Sequence, residues 1–218
     1  MSTSEAKTGE SRASDRILNA ALALFKARGY HGTPVRELAR SVRMEVASLY
    51  YHFPSKQEIL FALFERIMDA LLDGVNSAMA GAASPEERLR AAVRFHVLSH
   101  TARQDEAFIS HSELRSLSAQ NRRRIIAKRD RYERMIRAVL TDGVRAGKFE
   151  IDDARLTCTA ILVMCSGAAD WFAGQGRLSA DRVADRFADL AMRLVTPARV
   201  HPAPLPPVRK PTRRPTRV

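Results

Sequence analysis

A chain of 218 residues with 45% hydrophobic side chains holds enough apolar surface for one large or two modest cores and reads as globular. Its formal charge of +12 points to a polyanionic partner. The opening stretch MSTSEAKTGESRASD lacks the apolar core of a secretion signal, and the longest apolar run, 160–165, falls far short of the roughly 20 residues of a membrane span. A cytoplasmic protein with no membrane partner is expected.

In chain order, residues 1–13 read as a disordered leader. A helix over 14–28 places Ile17, Ala20, Ala21, Leu24 and Phe25 on one face and stops at Gly29. Thr33 is read as the cap of a short helix with Pro34 at its first position and Val35, Leu38, Ala39 and Val42 on its apolar side. A break over 41–44 leads to a second short helix, 45–51, anchored by Leu49. Two short helices joined by a tight turn make a helix-turn-helix, whose second helix enters the major groove. Ser55 with Glu58, and Ser84 and Pro85 with Glu87, are capping boxes opening longer helices. Further helices are expected over 105–116, 119–146 (ending at Gly147) and 154–172, with a last one opened by Ser179 or Asp181. With no strand pattern and no repeat, the fold class is all-α, about nine helices.

The tail, 197–218, holds six Arg or Lys, no acid and seven of the ten prolines, and reads as a disordered basic arm carrying half the net charge. Cys158 and Cys165, seven apart on one helix, lie about 10 Å apart along its axis, beyond the roughly 7 Å limit for a bridge. They read as reduced core thiols.

Residues 17–64 are similar to the N-terminal domain of the tetracycline-repressor (TetR/AcrR) family of regulators: ILNAALALFKARGYHGTPVRELA, SLYYHF and PSKQEIL follow the family pattern in order. Arg43 departs from the usual turn glycine, Glu45 from a frequent Ser or Thr cap, and Ala47 from a common glycine. The resemblance implies a DNA-binding domain over 14–57 and a helical ligand-binding and dimerisation domain over 58–196. It also implies a homodimeric transcriptional repressor on a palindromic double-stranded DNA operator, released by a small-molecule effector. It places Ser48, Tyr50, His52 and Lys56 at phosphate-contact positions, and the residue types suit that task. Thr33, Arg36 and Arg43 add candidate phosphate contacts from the first helix and the turn. Val46 and Ala47 offer apolar contact with thymine methyls, while Arg43 or Tyr51 is left to read base or shape.

His96 and His100, four apart on one helix, have a spacing that suits two metal ligands, with His111, Cys158 or Cys165 to complete a site, but no CxxC or HExxH pattern accompanies them. The competing readings are polar groups lining a pocket and ordinary packed or surface histidines. No metal and no cofactor is expected. The pocket reading places an effector among His96, His100, Phe108, His111, Tyr132, Met164 and Trp171, with a basic entrance near Arg115 or 122–124. The later chain resembles family members that sense acyl-CoA thioesters and lipids, which gives the effector class. Dimer contacts are expected from 154–172 and 181–194. Ser99, His100 and Asp105 lack a nucleophile-elbow pattern, so an enzyme is not expected. The alternative is a constitutive, nucleoid-like DNA binder; a polar concave cavity in the second domain would favour the regulator, and a solid apolar core the alternative.

Overall fold

The computed structural model describes residues 2–174 and 176–196, with the backbone alone for 2–10. The described residues form ten α-helices: α1 Ser2–Arg28, α2 Val35–Ser41, α3 Val46–His52, α4 Lys56–Met79, α5 Pro85–Ala102, α6 Gln104–Ser112, α7 Ala119–Arg145, α8 Ala154–Ser166, α9 Ala168–Trp171 and α10 Ala180–Val195. One 3-10 turn, Leu114–Ser116, follows α6.

The first helix starts at Ser2 rather than at 14, so the stretch read as a leader is helical. Its Glu, Ala and Lys are good helix formers, and adding residues to a formed turn is far easier than nucleating one. Gly29, at φ +72°, closes α1 in the left-handed region that glycine tolerates. The basic tail lies outside the described residues.

The capping expectations divide. At α5 the box is complete: Ser84 Oγ accepts from the Glu87 amide at 3.1 Å, and the Glu87 carboxylate accepts from the Ser84 amide. At α4 only half forms. Ser55 accepts from the Glu58 amide, but the Glu58 carboxylate turns outward to accept from Asn121 Nδ2 at 3.1 Å. Thr33 is not a cap either; it is fully buried and donates its hydroxyl to the Gly29 carbonyl at 2.9 Å, satisfying an end of α1. The single helix expected over 154–172 is two, broken at Gly167. Gln104 Nε2 donates to the carbonyls of Ala169 and Phe172 at 2.7 and 2.8 Å, which gives the freed backbone groups partners.

Ile17, Ala21 and Phe25 of α1 meet Leu38, Leu49, Ile59 and Leu60 in the core of the first unit. From there α4 carries the chain into the second unit, where α5 is central and packs on α4, α7, α8, α9 and α10. Gly74 lets α4 and α5 approach: a Cβ there would lie 2.1 Å from the Phe95 ring. Ion pairs join α5 to α10, with Arg90 to Asp189 at 2.8 Å and Arg94 to both Asp181 and Asp185. The thiols of Cys158 and Cys165 are buried, and burial pushes each up to about 12. No described helix is long and apolar enough to cross a membrane.

Candidate nucleic-acid interface and ligand cavity

The reader is built by one buried anchor and a rigid turn. Leu49, fully buried, seats α3 against α1 and α2, which turns the rest of the helix outward. Ala47, Ser48, Tyr50 and Tyr51 are exposed, Tyr51 by 74%, while Val46 and His52 are half-buried beside them. Arg36 is exposed on α2. Arg43 lies in the turn at φ +56°, in the left-handed region, with its amide donating to the Arg40 carbonyl at 3.1 Å. The family's turn glycine is thus replaced by a strained arginine. Arg16, which the sequence pattern did not single out, donates from α1 to the Val42 carbonyl at 2.6 Å and pins the same turn. Lys56 is half-buried at the start of α4, its ammonium 4.3 Å from the Tyr30 ring centroid; burial lowers its pKa, and the nearby Glu113 carboxylate opposes that shift. Of the residues proposed for this face, Thr33 alone is inaccessible.

Behind the reader, a polar cluster ties it to the second unit. Gln57 Nε2 donates to Tyr30 Oη at 2.8 Å and to the Ser116 carbonyl at 2.7 Å, while Gln57 Oε1 accepts from the Ser118 amide at 2.8 Å. Glu113, immediately after α6, accepts from the Tyr30 amide at 3.2 Å and from the Ser116 hydroxyl at 2.6 Å. Gln57 lies inside PSKQEIL but was given no role there, Glu113 lies in no motif, and only the folded chain brings them together.

Alongside α6 lies a cavity of about 230 Å³. Ile67, Met68, Leu71, Ala107 and Leu162 form its apolar wall; His96, Ser99, His100, Ser110, Arg129 and Tyr132 are prominent on the polar side. Of the expected ligand residues, His96, His100, His111 and Tyr132 line it. The others do not, for reasons of helix geometry. Met164 sits two positions from the lining Leu162 and so on another face of α8, while the lining residues of α6 are Glu106, Ala107, Ser110 and His111, opposite the exposed Phe108. Trp171, 56% exposed, is carried away by the break at Gly167 and stacks on Phe187 at 6.1 Å. Arg115 and Arg122 line a separate, more open pocket of about 410 Å³ that shares His111 with the cavity.

The cavity's electrostatics follow from burial. His96 and His100 stack with ring centroids 4.0 Å apart. Burial drives His96 well below the ordinary imidazole value and His100 down to about 4, so both are neutral. Both ring nitrogens of His96 are engaged, with Tyr132 Oη at 2.9 Å and Ser166 Oγ at 3.0 Å. His100 Nδ1 faces the His96 carbonyl at 2.9 Å and must donate to it, which leaves Nε2 as the lone-pair nitrogen. Among the described residues no three His, Cys, Asp or Glu are grouped to hold a metal ion. Three cations of the basic helix α7 are paired: Arg124 with Glu65 of α4 at 3.4 Å, Lys128 with Asp69 of α4 at 2.7 Å, and Arg137 with Glu133 at 3.5 Å.

An outward-facing helix-turn-helix held by its back to an all-helical unit defines a DNA-binding transcriptional regulator. Residues 17–63 match the tetR family of bacterial regulatory proteins and 82–195 match the tetracyclin repressor-like C-terminal domain; the chain belongs to the TetR family. It is similar to the TetR family transcriptional regulator PfmR from Thermus thermophilus, with 35% identity and a TM-score of 0.75 over 82% of this chain and 97% of that one. It is also similar to AibR, solved in complex with isovaleryl coenzyme A and operator DNA, at 30% identity and TM-score 0.75 over 82% and 97% of the two chains. The HTH-type transcriptional repressor KstR2 of Mycobacterium tuberculosis (strain ATCC 25618 / H37Rv) is 28% identical over 184 residues, 83% of this chain and 91% of that protein.

Proposed function

We propose that the protein is a dimeric repressor whose grip on a palindromic operator is released when an amphipathic acyl compound, a fatty acid or its coenzyme A thioester, fills the cavity beside α6. The observation that carries this reading is the cavity's position: α6 supplies its wall, and the residue after α6, Glu113, bonds to the reader. A ligand that prefers a displaced α6 then weakens DNA binding by linkage. The mixed apolar and polar lining supports this over a constitutive binder with a solid core. An acyl chain suits the enclosed part, and the phosphates of a thioester suit Arg115 and Arg122 in the adjoining open pocket. The resemblance to AibR, whose solved complex contains isovaleryl coenzyme A, is consistent with that class.

The reader uses Ser48, Tyr50, His52 and Lys56 on phosphates, with Arg36 and Arg43 adding charge and Val46, Ala47 and Tyr51 facing the groove. Dimerisation uses α8 and α10, which leave Leu156, Val163, Leu190 and Leu194 exposed, by 68% at Val163 and 53% at Leu194. Titration of fatty acids and acyl-coenzyme A compounds into a preformed protein–operator complex tests the reading, with native mass spectrometry of the purified protein for a retained molecule. Release by at least one acyl compound is expected; an operator complex indifferent to the whole panel overturns it.

A further inference from the structure

We infer that Arg129 and Ser110 together receive the acyl oxygen of the occupant, so that this cavity selects a carboxylate or thioester over an alcohol of the same chain length. The inference rests on the cavity being the effector site and names the atoms that read its ligand.

Arg129 projects from α7 into the lining, half-buried, and burial lowers its pKa. Its guanidinium donates to the Ser110 carbonyl and, among the described residues, meets no carboxylate. The acids in the same wall do not supply one: Glu106 pairs with Arg103 at 3.9 Å, Glu133 pairs with Arg137 at 3.5 Å, and Asp130 is exposed. Arg124, Lys128 and Arg137 on the same helix all have acidic partners. A guanidinium has five N–H donors, so most of those of Arg129 remain for an occupant. A half-buried guanidinium with no carboxylate partner is partly stripped of water, so an anionic or strongly accepting group beside it is favoured.

Ser110 provides the second, independent observation. Its Oγ is buried and has no hydrogen-bond partner, in a fold where nearly all buried polar groups are satisfied. The carbonyl that holds Arg129 belongs to the same residue of the cavity wall, and because no protein group holds the hydroxyl, rotation about χ1 is what would turn it toward an occupant beside Arg129. His96 and His100 offer no competing donor, since the first has both nitrogens engaged and the second spends its N–H on the His96 carbonyl. An acceptor at Arg129 and Ser110 leaves the rest of the molecule against Ile67, Met68, Leu71 and Leu162. The space, about 230 Å³, is some eight waters' worth at roughly 30 Å³ each. It suits a short to medium acyl chain, with any nucleotide portion outside, beyond His111.

Calorimetry with octanoate, octanoyl-coenzyme A and 1-octanol, on the full chain and on Arg129→Met, Arg129→Lys and Ser110→Ala, tests this. The wild-type chain is expected to bind at least one acyl compound about tenfold or more tightly than octanol. Arg129→Met should weaken that compound by about 10- to 100-fold, the worth of a charge-assisted hydrogen bond, and leave octanol unchanged. Ser110→Ala removes a hydroxyl with no protein partner, so it should fold normally and weaken acyl binding severalfold; Arg129→Lys should retain part of the discrimination. Preference for octanoate identifies a free acid as the source, and preference for the thioester a coenzyme A conjugate. Wild-type discrimination in both Arg129→Met and Ser110→Ala overturns the assignment. If acyl binding depends on Arg129 but leaves the operator bound in a parallel titration, the assignment stands and the effector reading falls. If no compound binds the wild-type chain, both fall.

Discussion

Replacing Arg43 with glycine separates strain from function at the turn of the reader. At φ +56° an L side chain costs roughly 1–2 kcal/mol relative to right-handed geometry. Glycine removes that cost but brings back roughly 0.5–1 kcal/mol through its greater freedom in the unfolded chain. The Arg43 side chain is exposed and makes no hydrogen bond or ion pair with another described residue, and its amide bond to Arg40 survives the substitution, so little else is lost. Arg43→Gly should therefore stabilise the protein by about 0–1.5 kcal/mol and raise the melting temperature by up to roughly 6 °C. On DNA the sign reverses. If the arginine contacts a phosphate, its loss takes about 0.9 from the slope of log affinity against log salt. Differential scanning calorimetry and operator titrations at several salt concentrations read the two effects separately. A variant that melts below the wild type refutes the strain argument, and an unchanged salt slope removes Arg43 from the phosphate contacts.

Tyr50→Ala and Lys56→Ala should each weaken all operators and lower the same salt slope by about 0.9; unchanged affinity in both, with melting preserved, would reject the reader assignment. Val163→Arg or Leu194→Arg, at positions exposed in the single chain, should yield folded monomers by sedimentation, and an undisturbed dimer in both would point to another interface. Acid should destabilise the second domain with a definite sign. His100 titrates near 4 when folded against 6.5 when free, so between those values the unfolded chain binds more protons. The stability is complete above about pH 6.5 and declines as pH falls, by about 3 kcal/mol near pH 4 from His100 alone. Burial of His96 acts in the same direction. Denaturant titrations of wild type and His100→Gln between pH 4 and 7 should show a shallower decline in the variant, and parallel curves would contradict the neutral buried imidazole.

Where a side chain's task is set by its neighbours in sequence, the sequence was a good guide. The spacing of Leu38, Ala39 and Leu49 located the reader, the apolar stripe from Ile59 to Val75 located α4, and Ser84 with Glu87 located the start of α5. The cavity was half legible. His96 and His100 stood out because imidazoles at helical spacing are unusual in a core, but Trp171, Phe108 and Met164 were assigned by residue type alone and their helix faces decided otherwise. Arg129 was hidden among eight similar cations on α7, and only its half-buried place in the cavity wall, which the folded chain alone reveals, separates it from them. Thr33 failed for a related reason: Pro34, not Thr33, stands at the N-cap of α2, and the Thr33 side chain turns inward to donate to the Gly29 carbonyl.

The contacts of Gln57 bear on how this protein could be re-engineered. Operator specificity in a modular regulator invites grafting, in which the first domain of one protein is joined to the sensing domain of another. Here the junction is not only the covalent one along α4. Tyr30 comes from the segment that would be exchanged, Glu113, Ser116 and Ser118 from the segment that would be kept, and Gln57 stands at the seam and touches both. A graft that cuts before Gln57 and brings in a residue other than tyrosine at position 30 takes the phenol partner from the Gln57 amide, while Glu113, which accepts from the backbone amide at position 30, keeps its bond. Such a chimera would carry a looser seam between reader and sensor, and a weaker response of the one to the other. Keeping Tyr30 and Gln57 as one inherited pair preserves the side-chain half of that seam.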